Sequence, residues 1–502
     1  MSDASVASAL RSNDPLVVIE APAGCGKTHQ ASVYAEDVAT SIAPGRALIL
    51  AHTHAACDTF AERSREPSGV DIRTIDSLIV AIAAAYPASV HITGDVGAWA
   101  RGRKDGYPEL ARRVAQLLGK SPGIARMLAR RFPIVICDEH QDANEGQHAI
   151  VMALHGAGAR LRIFGDPMQA LFDDDAASDA AIKRWTELSA RASQFERLDY
   201  PHRWRSSPEL GAWILAARTA LSDGRPIDLA SRPNMVSLIF ADNAAPAKNR
   251  YQLPSAERKP IDTATTTADE LFILSPHSAT VGALRAFFNR RFPIWEGHVR
   301  KALVKLATAI EKHEGDAIQI ANATLKFTDA LCTGFSASAF GNELVSEIGR
   351  GCTPSRRGKP GTLQSLGKFL LEEPNHRGVS KFLRRLAHEA RNNSTFKDVR
   401  IDYSREFSDG IALGAFGGVQ EGMSEIARRR TRTRSAPPPQ AISTVHKAKG
   451  LERRTVIIMP CDRHHFPDTP KARRVLYVAL SRPTDQLTIV ASKADQSPLF
   501  SW

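Results

Sequence analysis

The stretch Leu16-Val-Val-Ile-Glu20-Ala-Pro-Ala-Gly24-Cys25-Gly26-Lys27-Thr28 decides the fold. Its first part, apolar and β-branched, reads as a buried strand. The residues that follow, Ala21, Pro22, Ala23, Gly24, Cys25, Gly26, Lys27 and Thr28, have the spacing of a phosphate-binding loop, with Ala21 where the first glycine usually stands. Glycines let backbone N–H groups converge on phosphate oxygens. The helix starting after Gly26 aims its positive end at the same anion. Lys27 is placed to reach the β- and γ-phosphates of a nucleotide, and Thr28 offers a hydroxyl to Mg2+.

Further along stands Ile134-Val-Ile-Cys-Asp138-Glu139-His140-Gln141-Asp142. A buried strand that ends in two acids is no plain core strand, because ionised carboxylates there need a compensating partner. Mg2+ held through Asp138 supplies one, and Glu139 is then placed to orient and activate an attacking water. The third element, Phe164-Gly165-Asp166-Pro167-Met168-Gln169-Ala-Leu-Phe172, also follows a strand. Gln169 offers a neutral hydrogen-bonding group for sensing the γ-phosphate.

Working outward, apolar runs at 16–20, 47–51, 134–137 and 161–164 form one set of expected strands; runs at 271–274, 455–459 and 487–490 form another. Strands alternating with helix-like stretches predict parallel sheets of α/β type. The distance between the sets predicts two such domains. Residues 292–400 read mostly as helix, and 79–130 as a smaller helical interruption. Ala427–Pro439, rich in Arg and then Pro, reads as a solvated loop; its arginines also suit phosphates.

At 502 residues the chain is too long for one core. A net charge of +12 fits a polyanion, nucleic acid first, or simply a basic enzyme. The six cysteines are scattered without a C-x-x-C pair, which disfavours zinc ribbons, iron–sulfur clusters and disulfide scaffolds and suits a reducing cytoplasm. No apolar run is long enough for a transmembrane helix, and the first residues lack secretory-signal character.

The order of these motifs resembles superfamily 1 helicases, specifically the UvrD/Rep/PcrA group, including short Gabija-type anti-phage members. Asp138-Glu-His-Gln141 resembles the family's D-E-x-Q signature. Ala51-His52-Thr53-His54 and Thr74-Ile75-Asp76-Ser77 resemble the motifs that line the DNA path. Leu198-Asp-Tyr-Pro-His-Arg203-Trp204-Arg205 resembles the motif whose arginine contacts the γ-phosphate, with Arg203 favoured by spacing and Arg205 as the alternative. Thr444-Val-His446-Lys447-Ala-Lys449-Gly450-Leu451-Glu452 is similar to T-x-H-x-x-K-G-L-E, where Glu452 would contact the nucleotide sugar and Thr444 and His446 would lie near the strand. Arg474-Val-Leu-Tyr477-Val-Ala-Leu-Ser481-Arg482 resembles the motif that supplies an arginine finger, here Arg482.

The resemblance implies an α/β fold of two RecA-like parallel-sheet domains, a P-loop NTPase, each with a mainly helical insertion. The first domain spans 1–78 and 131–200 with its insertion at 79–130. The second spans 201–291 and 401–502 with its insertion at 292–400. It further implies ATP and Mg2+ as cofactors, 3′ to 5′ movement on single-stranded or tailed duplex DNA, and a role beside a nuclease partner as the competing function. Two departures stand out. The upstream glutamine motif that reads adenine has no clear match. Phe172 fits the aromatic position after Gln169, but Asp174 stands where the family has a base-stacking tryptophan. About 20 residues follow Arg482, so no C-terminal nuclease domain is expected.

Overall fold

The computed structural model describes residues 2–63, 69–103, 105–172, 175–244, 250–295, 300–432 and 437–502. Among these, six parallel strands form a first sheet: β1 (Leu16–Glu20), β2 (Ala47–Ala51), β3 (Val70–Thr74), β4 (Ile134–Cys137), β5 (Arg160–Gly165) and β6 (Gln194–Arg197). Their order across the sheet is β3-β2-β4-β5-β1-β6. β1, β2 and β4 are buried along their whole length, as parallel strands covered on both faces must be. β1 lies between β5 and the edge strand β6, and its loop emerges at the carboxyl ends of the strands. Ligands of open parallel sheets bind at that edge.

A second parallel sheet follows, joining β8 (Val236–Phe240), β9 (Leu271–Ser275), β12 (Gln440–Thr444), β13 (Arg453–Cys461) and β14 (Pro483–Ala491) in the order β12-β9-β13-β14-β8. Short pairs complete the set: β7 (Ile227–Asp228) with β15 (Phe500–Ser501), and β10 (Cys332–Thr333) with β11 (Arg400–Ile401). The α/β class and two parallel sheets expected from the sequence are therefore what the chain forms. β3, β6, β8 and β12 lie outside the expected runs. β3 and β6 interleave polar residues (VDIRT, QFER), which hides an edge strand from an apolar-run search.

The chain divides into two compact units. One holds both sheets, in Met1–Val96, Tyr107–Phe292 and Pro437–Trp502. The other, Gly97–Gly106 with Pro293–Ala436, is helical apart from the β10–β11 pair. Its helical run therefore continues past residue 400, through the helices Ser404–Ala412 and Val419–Arg432. Its core packs Leu303, Leu306, Phe327, Phe382 and Leu386 with Phe335, Phe340 and Phe396, whose rings stack at 4.8–6.5 Å.

The sequence expectation of a loop from Ala427 needs correcting: that stretch stays helical to Arg432. Arginine is a good helix former, and Glu425 pairs with Arg428 at 2.6 Å and Arg429 at 2.9 Å, three and four residues on. Arg434 and Asp174 lie outside the described residues. Among the described residues, no helix is long and apolar enough to cross a membrane.

Candidate functional site

Both glycines of the phosphate loop are left-handed, Gly24 at φ 75° and Gly26 at φ 83°, a region that L side chains rarely adopt. A Cβ on Gly24 would also stand 2.8 Å from both Arg203 Cβ and the Trp204 ring. The loop is tied back by Ala21 N donating to Gly165 O at 2.8 Å and Cys25 N donating to Pro22 O at 3.2 Å. Cys25 is buried, and burial with the nearby Asp166 pushes its thiol up to about 12, so it packs rather than reacts. The helix Lys27–Ala39 begins at Lys27 with Gly26 as its cap. Thr28 is half-buried in its first turn.

β4 delivers Asp138 and Glu139 beside Lys27. Lys27 Nζ lies 3.0 Å from Asp138 Oδ1 and also pairs with Glu139. Burial would lower the Lys27 ammonium, but the two carboxylates outweigh it and hold it above its ordinary range. Burial dominates at Asp138 and raises its carboxyl despite Lys27. At Glu139 burial pulls upward too, yet the charges of Lys27 and Lys449 win and hold it well below the usual carboxylate range. Glu139 is itself left-handed at φ 52°, a strained backbone of the kind that collects at functional sites. Gln141 donates to Glu139 and accepts from Asp166 N at 3.0 Å.

The second sheet meets this edge of the first. Ala23 N of the phosphate loop donates to the Tyr477 hydroxyl at 2.9 Å. Arg203 N donates to Gly24 O at 3.0 Å, its Nη1 donates to Ser481 O at 2.7 Å, and its guanidinium pairs with Glu452. Trp204, 0% exposed, donates its indole N–H to Pro483 O at 2.7 Å. Lys449 Nζ reaches both Asp142 oxygens and Gln169 O, each at 2.6 Å. Asp166, fully buried, accepts from Arg218 Nη2 at 2.6 Å, and Arg218 also bonds Glu20 at 2.7 Å.

Two family models match the chain: an AAA domain over residues 4–173 and a UvrD-like helicase C-terminal domain over residues 425–494. These two matches support the resemblance of the chain to UvrD/Rep-like helicases of superfamily 1. A curated relative, the RecBCD enzyme subunit RecB of Mycolicibacterium smegmatis, is 28% identical over 171 residues. That match covers 33% of this chain and 15% of the relative, so the chain spans well under two thirds of RecB's length.

In this UvrD/Rep-like chain the residues singled out from sequence fall into three groups. Ala21, Pro22, Ala23, Gly24, Cys25, Gly26, Lys27, Thr28, Asp138, Glu139, Arg203 and Glu452 gather around the phosphate loop. Gln169 and Arg482 are near but turned to protein partners. The Gln169 amide donates to Asp166 Oδ2 at 2.9 Å. Arg482, 1% exposed, donates to Val478 O at 2.8 Å, Leu451 O at 3.2 Å and Ser481 Oγ at 2.6 Å. Burial and the neighbouring Arg203 push its guanidinium down to about 10.

The third group lies at or beyond the ends of β2, β3, β5 and β12, with His52 close enough to Asp138 to act on its charge. Thr53 accepts from Ala56 N at 3.1 Å beside half-buried His52 and exposed His54. Thr74 caps the helix Ile75–Ala85, Thr444 caps Val445–Ala448 next to His446, and Phe172 is half-buried after Gln169.

Sequence reasoning assigned no role to Tyr477, Arg218, Lys449 or Asp142. Tyr477 and Lys449 stand inside quoted motifs, and their apolar or basic surroundings give no sign of what they touch. Arg218 is the one charged residue on the otherwise apolar buried face of the helix Pro208–Ser222, and that misplaced charge was the available signal.

Proposed function

We propose that this chain is an ATP-driven motor that moves 3′ to 5′ on single-stranded DNA and separates duplexes ahead of it. The observation that carries the reading is the buried group of Lys27, Asp138 and Glu139 at the mouth of a phosphate-binding loop. Asp138 Oδ1 is buried and accepts no well-directed hydrogen bond, although Lys27 stands 3.0 Å away. An oxygen left in that condition suits a hard cation, and Thr28 with Asp138 would hold Mg2+ there. Bound with nucleotide, the ion supplies positive charge to the phosphate oxygens.

Lys27 exchanges its carboxylate partners for phosphate oxygens when nucleotide enters. Glu139, released, orients the attacking water and takes its proton. Arg203 and Arg482 offset developing phosphoryl charge, which in related NTPases is worth ~10³–10⁵ in rate. Arg482 must first leave its protein acceptors, and that movement links the second sheet to the nucleotide state. His52, Thr53, His54, Thr74, Phe172, Thr444 and His446 contact the strand, with low sequence preference where bases stack on rings.

The test is ATP hydrolysis with and without single-stranded DNA, followed by strand displacement on 3′- and 5′-tailed duplexes. Strand-stimulated hydrolysis should fall at least about a hundredfold in Lys27→Ala. Equal activity in variant and wild type, or no stimulation at all, defeats the motor. A second reading is favoured by the relative's own name, which makes it a subunit: the chain would be a DNA-end-sensing ATPase that regulates a nuclease, in repair or anti-phage defence. Co-purification with a nuclease and weak unwinding alone would decide for it.

A further inference from the structure

The D-E-x-Q signature leaves its third place open, and this chain fills it with His140. The residue before it, Glu139, keeps its left-handed backbone only against strain, so neighbouring contacts must hold it there. Three side chains of the segment are tied to the phosphate site or to the second sheet. Glu139 pairs with Lys27, Gln141 accepts from Asp166 N at 3.0 Å, and Asp142 accepts from Lys449 at 2.6 Å. His140 instead lines a small cavity together with Gln141, Ala143, His148, Arg184 and Trp185.

There His140 is 6% exposed, and its Nε2 lies 3.0 Å from Nδ1 of half-buried His148. The ring centroids are 5.3 Å apart and the planes are tilted by 48°. In such a bond one imidazole donates and the other accepts, which fixes the rotation of both rings.

His148 stands on a braced helix start. Asn144 and Gln147 form a capping box at the head of the helix Glu145–Gly156: Asn144 Oδ1 accepts from Gln147 N at 2.9 Å, and Gln147 Oε1 accepts from Asn144 N at 3.0 Å. The Gln147 amide also donates to Asp76 at 2.8 Å, in the helix that follows β3. Arg184, from the helix Asp175–Ala190, donates to Ala143 O at 2.8 Å and closes the other side. The His148 end of the bond is therefore held still, and the His140 end belongs to the loop that carries Glu139.

We propose that His148, through its bond to His140, is a positioning residue for Glu139 in ATP hydrolysis. A buried hydrogen bond and the strain of one left-handed residue are of the same order, so loss of the bond is enough to let the Glu139 backbone relax. A carboxylate displaced by about 1 Å orients its water poorly, at a cost of up to about 10²-fold in rate. Neither histidine acts on the reacting atoms, and the phosphate loop with Lys27 is untouched. Binding and turnover should therefore separate.

The proposal rests on Glu139 being the group that orients the attacking water. Its test compares the full chain with His148→Leu and His148→Asn; asparagine places an amide where Nδ1 stood. Turnover at saturating ATP and single-stranded DNA should fall about ten- to a hundredfold in His148→Leu, while the dissociation constant of a fluorescent ATP analogue stays within about twofold. His148→Asn should recover most of the loss. His140→Phe and His148→Leu together should lose no more than either alone, because both break one bond. Circular dichroism gives the folded fraction, and turnover is read per folded molecule. Should His148→Leu fail to fold, His140→Phe, which keeps a ring in the cavity, is read in the same way. Wild-type turnover in the folded variant overturns the proposal, as does an equal loss with leucine and asparagine, or a fall in nucleotide affinity that matches the fall in turnover. Hydrolysis without strand stimulation in the wild type defeats the motor reading and leaves this comparison intact; no hydrolysis at all in the wild type overturns both.

Discussion

The two parallel sheets place comparable loops at the ends of comparable strands, but among the described residues the glycine loop and buried acids of the candidate phosphate site belong to the first sheet. Thr74, the last residue of β3, and Thr444, the last of β12, have nearly the same backbone, φ −74°, ψ 150° and φ −75°, ψ 150°. Each hydroxyl caps a helix, accepting from Ser77 N at 3.1 Å and Lys447 N at 3.3 Å. Where β4 ends in Asp138 and Glu139 against Lys27, β13 runs into Asp462 against histidines. Asp462 Oδ1 bonds the His465 ring at 2.7 Å, and the His277 and His464 rings lie 5.3 and 5.1 Å from it. The same scaffold thus sets a glycine loop and buried acids on one edge, and a histidine group with cationic donors on the other. The fold supplies geometry at both edges; a few residues decide where phosphate chemistry can occur.

The contrast is broken most severely by changing the acid. Glu139→Gln should lower ATP turnover about 10²–10⁴-fold while nucleotide binding persists, whereas Asp462→Asn should leave turnover within about twofold; steady-state hydrolysis of both variants checks this. The glycines come next. Gly24→Ala must overpack against Arg203 and Trp204, adding about 1–3 kcal/mol to about 1–2 kcal/mol for a left-handed residue. Gly450, at φ 79° with open space around its Cβ, should lose only the second amount, about 1–2 kcal/mol, in Gly450→Ala. Urea midpoints of the two variants compare them directly.

Lys449→Met removes the lysine that joins the second sheet to Asp142 and Gln169, and should destabilise by about 1–3 kcal/mol through the polar groups left behind. The smallest effect is a pH dependence. Burial, helped by His465 and His464, lowers the His277 ring from its ordinary value of 6.5, with Asp462 opposing. The unfolded chain therefore takes up that proton first, and stability contributed at pH above about 6.5 is lost as pH falls towards the lowered value. Burial raises the carboxyls of Asp138 and Asp76, which act in the opposite sense. The difference between wild type and His277→Gln, in urea midpoints at pH 7.5 and 5.5, isolates the ring: the variant should lose less.

Much of this was legible in the sequence because the informative residues are consecutive. Strand, glycine loop and lysine run without interruption from Leu16 to Thr28, and β4 passes straight into Asp138 and Glu139. What escaped depends on residues brought together from afar. Lys449 and Asp142 are 307 residues apart, and Ala23 and Tyr477 are 454 apart; no local pattern encodes either pairing. The helical unit was visible as periodicity, but its extent past 400 was not, since the arginine run that looked like a loop is held as helix by Glu425.

Trp204 is an optical gauge of the joint between the two sheets. Its indole is wholly enclosed and hydrogen-bonded to β14 from a segment that also touches the phosphate loop. Any separation of the sheets at that joint exposes the ring to water and shifts its emission to longer wavelength. Stopped-flow fluorescence after mixing with nucleotide therefore tests for such a separation without an attached dye, against a Trp204→Phe reference that removes the signal from the other tryptophans.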